Sequence, residues 1–150
     1  MGDRTTVVLS LLTSQVKEVE ELLDYLHQRC NEECIDNTTG FEFDEVNYGV
    51  LKRLVALEEA GIAYESTWRA GCEYEAGTTS VRFTSEGEKV KKTIYDSDLS
   101  IPITDLMHLI NQPEAILELI KNSNEEVQVL PWDNQEEYGK RYRARQLIST

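Results

Sequence analysis

The fold is decided first by residues 5–12, which have the sequence TTVVLSLL. Seven of these eight residues are β-branched or leucine, a composition typical of a buried strand. Thr13 and Ser14 come next and can cap a helix, which we predict to run to about Cys30. The apolar residues of this helix recur three or four positions apart, so they share one face and are expected to be buried: Val16, Val19, Leu23 and Leu26.

Three further stretches alternate in polarity, which is the pattern of strands with one buried face. They are residues 41–46 (FEFDEV), 62–68 (IAYESTW) and 79–84 (TSVRFT). The polar residues 31–40 are predicted to form a loop before the first of these strands. Asn47 is placed to cap a second helix through Leu57, and Gly61 fits the C′ position at which helices end in a left-handed conformation.

The order strand, helix, strand, helix and two strands, followed by helices, fits one α+β domain built as a two-layer sandwich. We predict an antiparallel or mixed sheet of about four strands, with two helices on one face and extra C-terminal helices. The domain spans residues 1–150, with a sheet-and-helix body to about residue 98 and a helical extension over about residues 99–150. Within the body, the secondary structure of residues 86–96 is ambiguous between helix and strand, and the four-residue spacing of Val90 and Ile94 favours a short helix.

The predicted extension has two proline-marked helix starts, at Pro102 and Pro113. Val127 and Val129 predict one last short strand before a turn at residues 131–134, PWDN. A basic block with no acidic residue follows, formed by Lys140, Arg141, Arg143 and Arg145. We expect this tail to fold back onto the acidic body, which is a structural role.

The composition is strongly acidic. The chain has 28 Asp and Glu against 15 Lys and Arg, a net charge of −13, and 28 against 11 within residues 1–139, a net charge of −17. That is well beyond the ~2 to 8 charges that keep a small domain soluble. The excess disfavours direct binding to nucleic acid or anionic membranes and favours a macromolecular partner, presumed to be a protein, with a basic surface.

The location is expected to be cytoplasmic. No apolar run approaches the ~20 residues of a membrane helix, and the first residues are expected to form a strand instead of a signal peptide. Three cysteines, an odd number, argue against a disulfide framework and for a reducing compartment.

Exposed carboxylates can imitate the phosphate array of a duplex, and aromatic residues can anchor an interface. We therefore predict an inhibitor or regulator that acts through an acidic surface, as expected of a small bacterial or mobile-element accessory protein. Its acidic residues are expected to face water, and Trp132 is expected to make an exposed or tail-pinning contact. The candidate partner-binding residues are Glu42, Asp44, Glu58, Glu59, Glu73, Glu75 and Trp132.

A metal site and a catalytic site were also considered. His27, Cys30 and Cys34 lie at helical spacing and could bind zinc with Cys72, but there is no CxxC pair and the same stripe fits a core face. No GxSxG, glycine-rich phosphate loop or assembled triad is present. We predict no zinc, no cofactor and no catalytic residue, and a binding protein; a small metal-dependent or carboxylate-based enzyme stays as a second alternative.

The first alternative comes from residues 50–94. VLKRLVALEEAGIAYES followed by VRFTSEGEKVKK resembles the C-terminal half of winged-helix DNA-binding domains. The resemblance implies a transcriptional regulator with Lys52 and Arg53 on the recognition helix and Arg69 and Arg82 on the wing. A helix within residues 35–49 would favour this family, and a strand there would favour the sandwich.

Overall fold

The computed structural model describes residues 3–149 and has an α+β fold with an open, fully antiparallel six-stranded sheet in the order β2-β3-β1-β4-β5-β6. Residues 1, 2 and 150 of the predicted domain lie outside the described residues. The strands are β1 (Arg4–Leu12), β2 (Asn31–Ile35), β3 (Thr38–Asn47), β4 (Tyr64–Trp68), β5 (Gly77–Phe83) and β6 (Lys89–Tyr95). The α-helices are α1 (Val16–Leu22), α2 (Val55–Glu59), α3 (Ile103–His108), α4 (Pro113–Glu126) and α5 (Gln135–Ser149).

The α+β class and the strand at FEFDEV are confirmed, but the prediction of about four strands was wrong. The polar residues predicted as a loop contain β2, an edge strand whose five residues are all exposed. Such a strand has no buried apolar face, and its turn to β3 has Asp36, not glycine, in a left-handed conformation (φ 54°). The other edge strand, β6, replaces the predicted short helix and carries three lysines, which protect sheet edges from pairing.

Two predicted helices are shorter than expected. The first ends at Leu22 because Leu23 is extended (φ −118°, ψ 91°), and a 3-10 helix over Asp24–Gln28 follows. The stripe is still buried at Val19, Leu23 and Leu26, while Val16 is half-buried. The helix predicted from Asn47 is reduced to α2, and its end at Gly61 (φ 70°) is confirmed.

The core lies on one face of the sheet. Alternate residues of the central strands point into it, together with Val19, Leu23, Leu26 and Leu57 from the helical segments. The contributing strand residues are Val7, Leu9, Leu11, Phe41, Phe43, Tyr64, Val81 and Phe83. The C-terminal helix α5 closes this core at β5, where the rings of Phe83 and Tyr142 lie 5.0 Å apart.

The basic tail lies along the body, as expected. Arg141 donates to Ser85 O (2.6 Å), Arg145 donates to Glu86 O (2.9 Å), and Arg143 lies 3.8 Å from Glu18. The strand predicted at residues 127–129 was wrong, since this segment has no regular structure. It is held by side-chain contacts, because Arg82 Nε donates to Leu130 O (2.9 Å) and Lys92 Nζ to Gln128 O (2.9 Å). The turn at residues 131–134 is confirmed.

Candidate partner-binding surface

The acidic candidates do not share one surface. Glu42 and Asp44 lie on β3 with their side chains on the face opposite Phe41 and Phe43. Glu59 is exposed at the end of α2. Glu73 and Glu75 are exposed in the loop between β4 and β5, where Glu75 accepts a hydrogen bond from Ser97 Oγ (2.9 Å). The predicted acidic surface is therefore spread over separate parts of the molecule.

Glu58 is the exception to the predicted exposure, and that prediction was wrong for it. Its side chain is buried, with the residue only 4% exposed, because the last turn of α2 directs it at the sheet. Oε1 accepts from Lys89 Nζ (3.0 Å), and Oε2 accepts from Lys91 Nζ (3.1 Å) and from the hydroxyl of Tyr64 (2.9 Å). Burial acts to raise the pKa of Glu58, but the hydrogen bonds from Lys89, Lys91 and Tyr64 prevail and lower it.

An exposed contact or a tail-pinning contact was expected for Trp132, and the structure shows a pinning contact. The indole is half-buried, and the guanidinium of Arg82 stacks on it at 3.7 Å from the ring centroid. Arg82 is itself 2% exposed and forms an ion pair with Glu65. The indole therefore fixes the chain after Leu130 against the sheet.

The structure differs from a winged-helix domain at the elements that the resemblance implies. Residues 38–47 form β3, where that family needs a helix before its recognition helix. Lys52 and Arg53 lie in turns before α2, not on a helix, and Arg82 is buried in a sheet. The other three basic residues that the resemblance implies, Lys52, Arg53 and Arg69, are exposed.

The structure does not unite the predicted zinc ligands. Within residues 3–149, the one group of three ligand atoms close enough for a metal is Cys30, Glu42 and Asp44, which lie within 4.8 Å of one another. All three cysteines are free and exposed, so the expected core face does not include them. Desolvation raises the pKa of the Cys30 thiol, and the neighbouring Asp44 and Glu42 raise it further, which disfavours the thiolate that a metal requires.

A row of exposed apolar side chains lies in the extension, over residues 99–126, here called the arm. Neither α3 nor α4 contains a buried residue. Ile103, Met107 and Ile110 recur at helical spacing and are exposed, with Ile103 at 77%. On α4, Leu117 and Ile120 form an exposed stripe at three-residue spacing, and Leu99 is exposed where the arm begins.

Exposure of this kind is unusual for helices in a folded protein. A helix of 14 residues is marginal by itself in water, and most helical stability comes from packing an apolar face. The arm has such stripes on α3 and α4 but leaves them open to solvent, which is typical of a surface that another molecule covers. The arm is also acidic, with five acidic residues and one lysine, a net charge of −4.

Sequence reasoning found both helices of the arm but not their exposure. Apolar spacing shows that a helix has an apolar stripe, and it was taken to close an edge or end of the sheet. Whether the same chain covers that stripe depends on where the helices lie, which the spacing does not specify. The sequence feature that indicates this exposure is the density of acidic residues around the apolar stripe of α4, at Glu114, Glu118, Glu125 and Glu126.

Comparison with known proteins gives this chain no relative: no family model, no curated protein and no solved structure matches it. Within residues 3–149, no helix has the length and apolar character needed to cross a membrane.

Proposed function

We propose that this protein is a binding protein, an inhibitor or regulator, that docks its arm on a protein partner. The partner has an apolar groove that covers the stripes of α3 and α4, and basic residues around that groove. The observation that carries the proposal is the row of six exposed apolar side chains on an arm without a buried residue: Leu99, Ile103, Met107, Ile110, Leu117 and Ile120.

The negative charge of the arm favours a different protein, and not a second copy of this chain, as the partner. Two arms facing each other would bring a net charge of −4 against −4, on chains that each carry −13. Like charges at an interface oppose association, whereas a basic rim attracts the arm and accelerates the encounter. A groove with basic edges on another protein therefore fits the arm better than self-association does.

The test compares partner binding by matched variants of the whole chain. Leu117→Ser with Ile120→Ser removes apolar contact area from α4, and we expect it to weaken binding about tenfold or more. Ile148→Ser is the control, because Ile148 is 85% exposed on α5, outside the arm. The partner is captured from the source cells at low salt, identified by mass spectrometry, purified and titrated against each variant.

A second pair of variants tests the charge. Glu114→Lys with Glu118→Lys should slow association and reduce its salt dependence, since electrostatic steering acts mainly on the on-rate. Glu20→Lys with Glu21→Lys makes the same charge change on α1 and should alter association less. The proposal is wrong if all four variants bind alike, or if sedimentation shows that the wild type dimerises through the arm.

A further inference from the structure

A cavity of about 630 Å³ opens on the core face of the sheet, between residues 48–55 with α2 and strands β4 to β6. Its volume falls within the ~300–1,000 Å³ that is usual for small-molecule sites. Its lining comes entirely from residues 48–95, so it is separate from the arm. A ligand in this cavity would therefore occupy a different site from the proposed protein partner.

One wall of the cavity carries the buried ion cluster of Glu58. A single carboxylate accepts from two ammonium groups, those of Lys89 and Lys91, so the cluster has a net charge of +1. Within the described residues, Lys91 Nζ donates to Glu58 alone, which leaves two of its three N–H groups for a ligand. Arg53, which lies 3.7 Å from Asp24, and Glu75, which accepts from Ser97 Oγ, also line the cavity. The lining therefore offers two cations, Lys91 and Arg53, in a chain of net charge −13.

Aromatic rings form the opposite part of the lining. Trp68 and Tyr95 are in edge contact, with centroids 6.1 Å apart, and Tyr48 and Tyr74 lie beside them. The indole of Trp68 is held in place because Nε1 donates to Glu75 O (2.9 Å). Rings fixed in this way offer faces and edges on which a planar ligand can stack.

The segment that covers the cavity has a strained backbone. Tyr48 (φ 54°) and Arg53 (φ 64°) both adopt the left-handed conformation that non-glycine residues rarely take. Both residues line the cavity. Strain of this kind persists where the surroundings impose it, and it concentrates at sites that clamp ligands.

We propose that this cavity binds a small ligand with a planar aromatic ring and an anionic group. The ring stacks against Trp68 and Tyr95, and the anion accepts hydrogen bonds from Lys91 and Arg53. An aromatic carboxylate and a nucleotide phosphate share this chemistry. Both carboxylates of the lining already have partners, since Glu58 pairs with Lys89 and Lys91 and Glu75 accepts hydrogen bonds from Ser97.

The two tryptophans provide an internal comparison for the test. In a ¹H–¹⁵N NMR spectrum each indole N–H gives one peak; Trp68 lines the cavity, and Trp132 lies elsewhere, stacked on Arg82. Indole-3-acetate and adenosine monophosphate are titrated separately, with indole-3-acetamide and adenosine as neutral controls. We expect one of the anions to shift the Trp68 peak, with little change at Trp132, and to bind more tightly than its neutral counterpart.

The variants Lys91→Gln and Lys92→Gln test the charge. Lys92 follows directly on β6, but its side chain is on the opposite face, where it donates to Gln128 O. Losing a charge-assisted hydrogen bond should weaken anion binding about tenfold in Lys91→Gln and leave it unchanged in Lys92→Gln. The proposal is overturned if neither anion shifts the Trp68 peak, if the neutral compounds bind as tightly, or if the two variants behave alike.

Discussion

The backbone of Gly139 in α5 lies directly against the backbone of Gly61, the residue that ends α2. A Cβ atom built at Gly139 would lie 1.8 Å from Gly61 O, and one built at Gly61 would lie 2.2 Å from Gly139 O. Neither neighbour is a flexible side chain that could move away. This contact between two glycines fixes how closely the C-terminal helix approaches the core.

The first prediction is that Gly139→Ala destabilises the protein. In an exposed helix this change would stabilise by about 0.5–1 kcal/mol. Here the added methyl must push α5 away from Gly61, and overpacking of this kind costs about 1–3 kcal/mol. Urea denaturation measures the free energy of unfolding. Ala144→Gly, at an exposed position of the same helix, is the control and should cost about 0.5–1 kcal/mol. A Gly139→Ala variant that is more stable than the wild type would contradict the close contact between the two glycines.

The spacing of apolar residues in the sequence predicts the elements whose side chains line the core, and it predicts the other elements less well. Residues 5–12 and 41–46 alternate or cluster apolar residues because they line the core, and both were predicted. Strand β6 lies at a sheet edge and carries three lysines, and the four-residue spacing of Val90 and Ile94 matched a helix by chance. The exposure of the arm and the cavity beside Glu58 were missed because exposure and cavities arise from how distant segments meet.

The second prediction concerns Arg82. Its guanidinium donates to Leu130 O (2.9 Å) and Tyr64 O (3.2 Å), pairs with Glu65 and stacks on Trp132. Lysine keeps the charge but not the planar fork, so Arg82→Lys should lose about 1–3 kcal/mol of unfolding free energy. Hydrogen exchange should also become faster at residues 127–132.

The control for Arg82 is Arg143→Lys. Arg143 is exposed and pairs with Glu18 at 3.8 Å, so this change should cost only about 0–1 kcal/mol. Equal stability and equal exchange in the two variants would show that Arg82 does not hold the segment after α4 to the sheet.

The third prediction concerns the pH dependence of the Glu58 cluster. The pKa of Glu58 is lowered in the folded state, so its contribution is present above the unfolded value of about 4.3 and is lost as the pH falls through the lower folded value. Glu58→Gln should cost about 1–3 kcal/mol at pH 7, because Lys89 and Lys91 can turn to water but Tyr64 is buried. The difference from wild type should shrink on acidification below about pH 4.3.

Urea denaturation across this pH range measures that difference, with Glu59→Gln as the control. Glu59 is the neighbouring carboxylate and is exposed. Its removal should leave both the stability and its pH dependence nearly unchanged. A difference between Glu58→Gln and wild type that stays constant down to acid pH would show that the charge of Glu58 does not stabilise the fold.

The last prediction concerns zinc at Cys30. The thiol lies beside two carboxylates, those of Glu42 and Asp44, and all three offer ligand atoms within 4.8 Å of one another. Zinc binds cysteine as the thiolate, so the raised pKa of Cys30 increases the cost of releasing the thiol proton on binding. After dialysis against zinc, elemental analysis should therefore find the same low content in wild type, Cys30→Ser and Cys72→Ser. Stoichiometric zinc that is lost in Cys30→Ser and kept in Cys72→Ser would establish a metal site at β3 and favour the enzyme alternative.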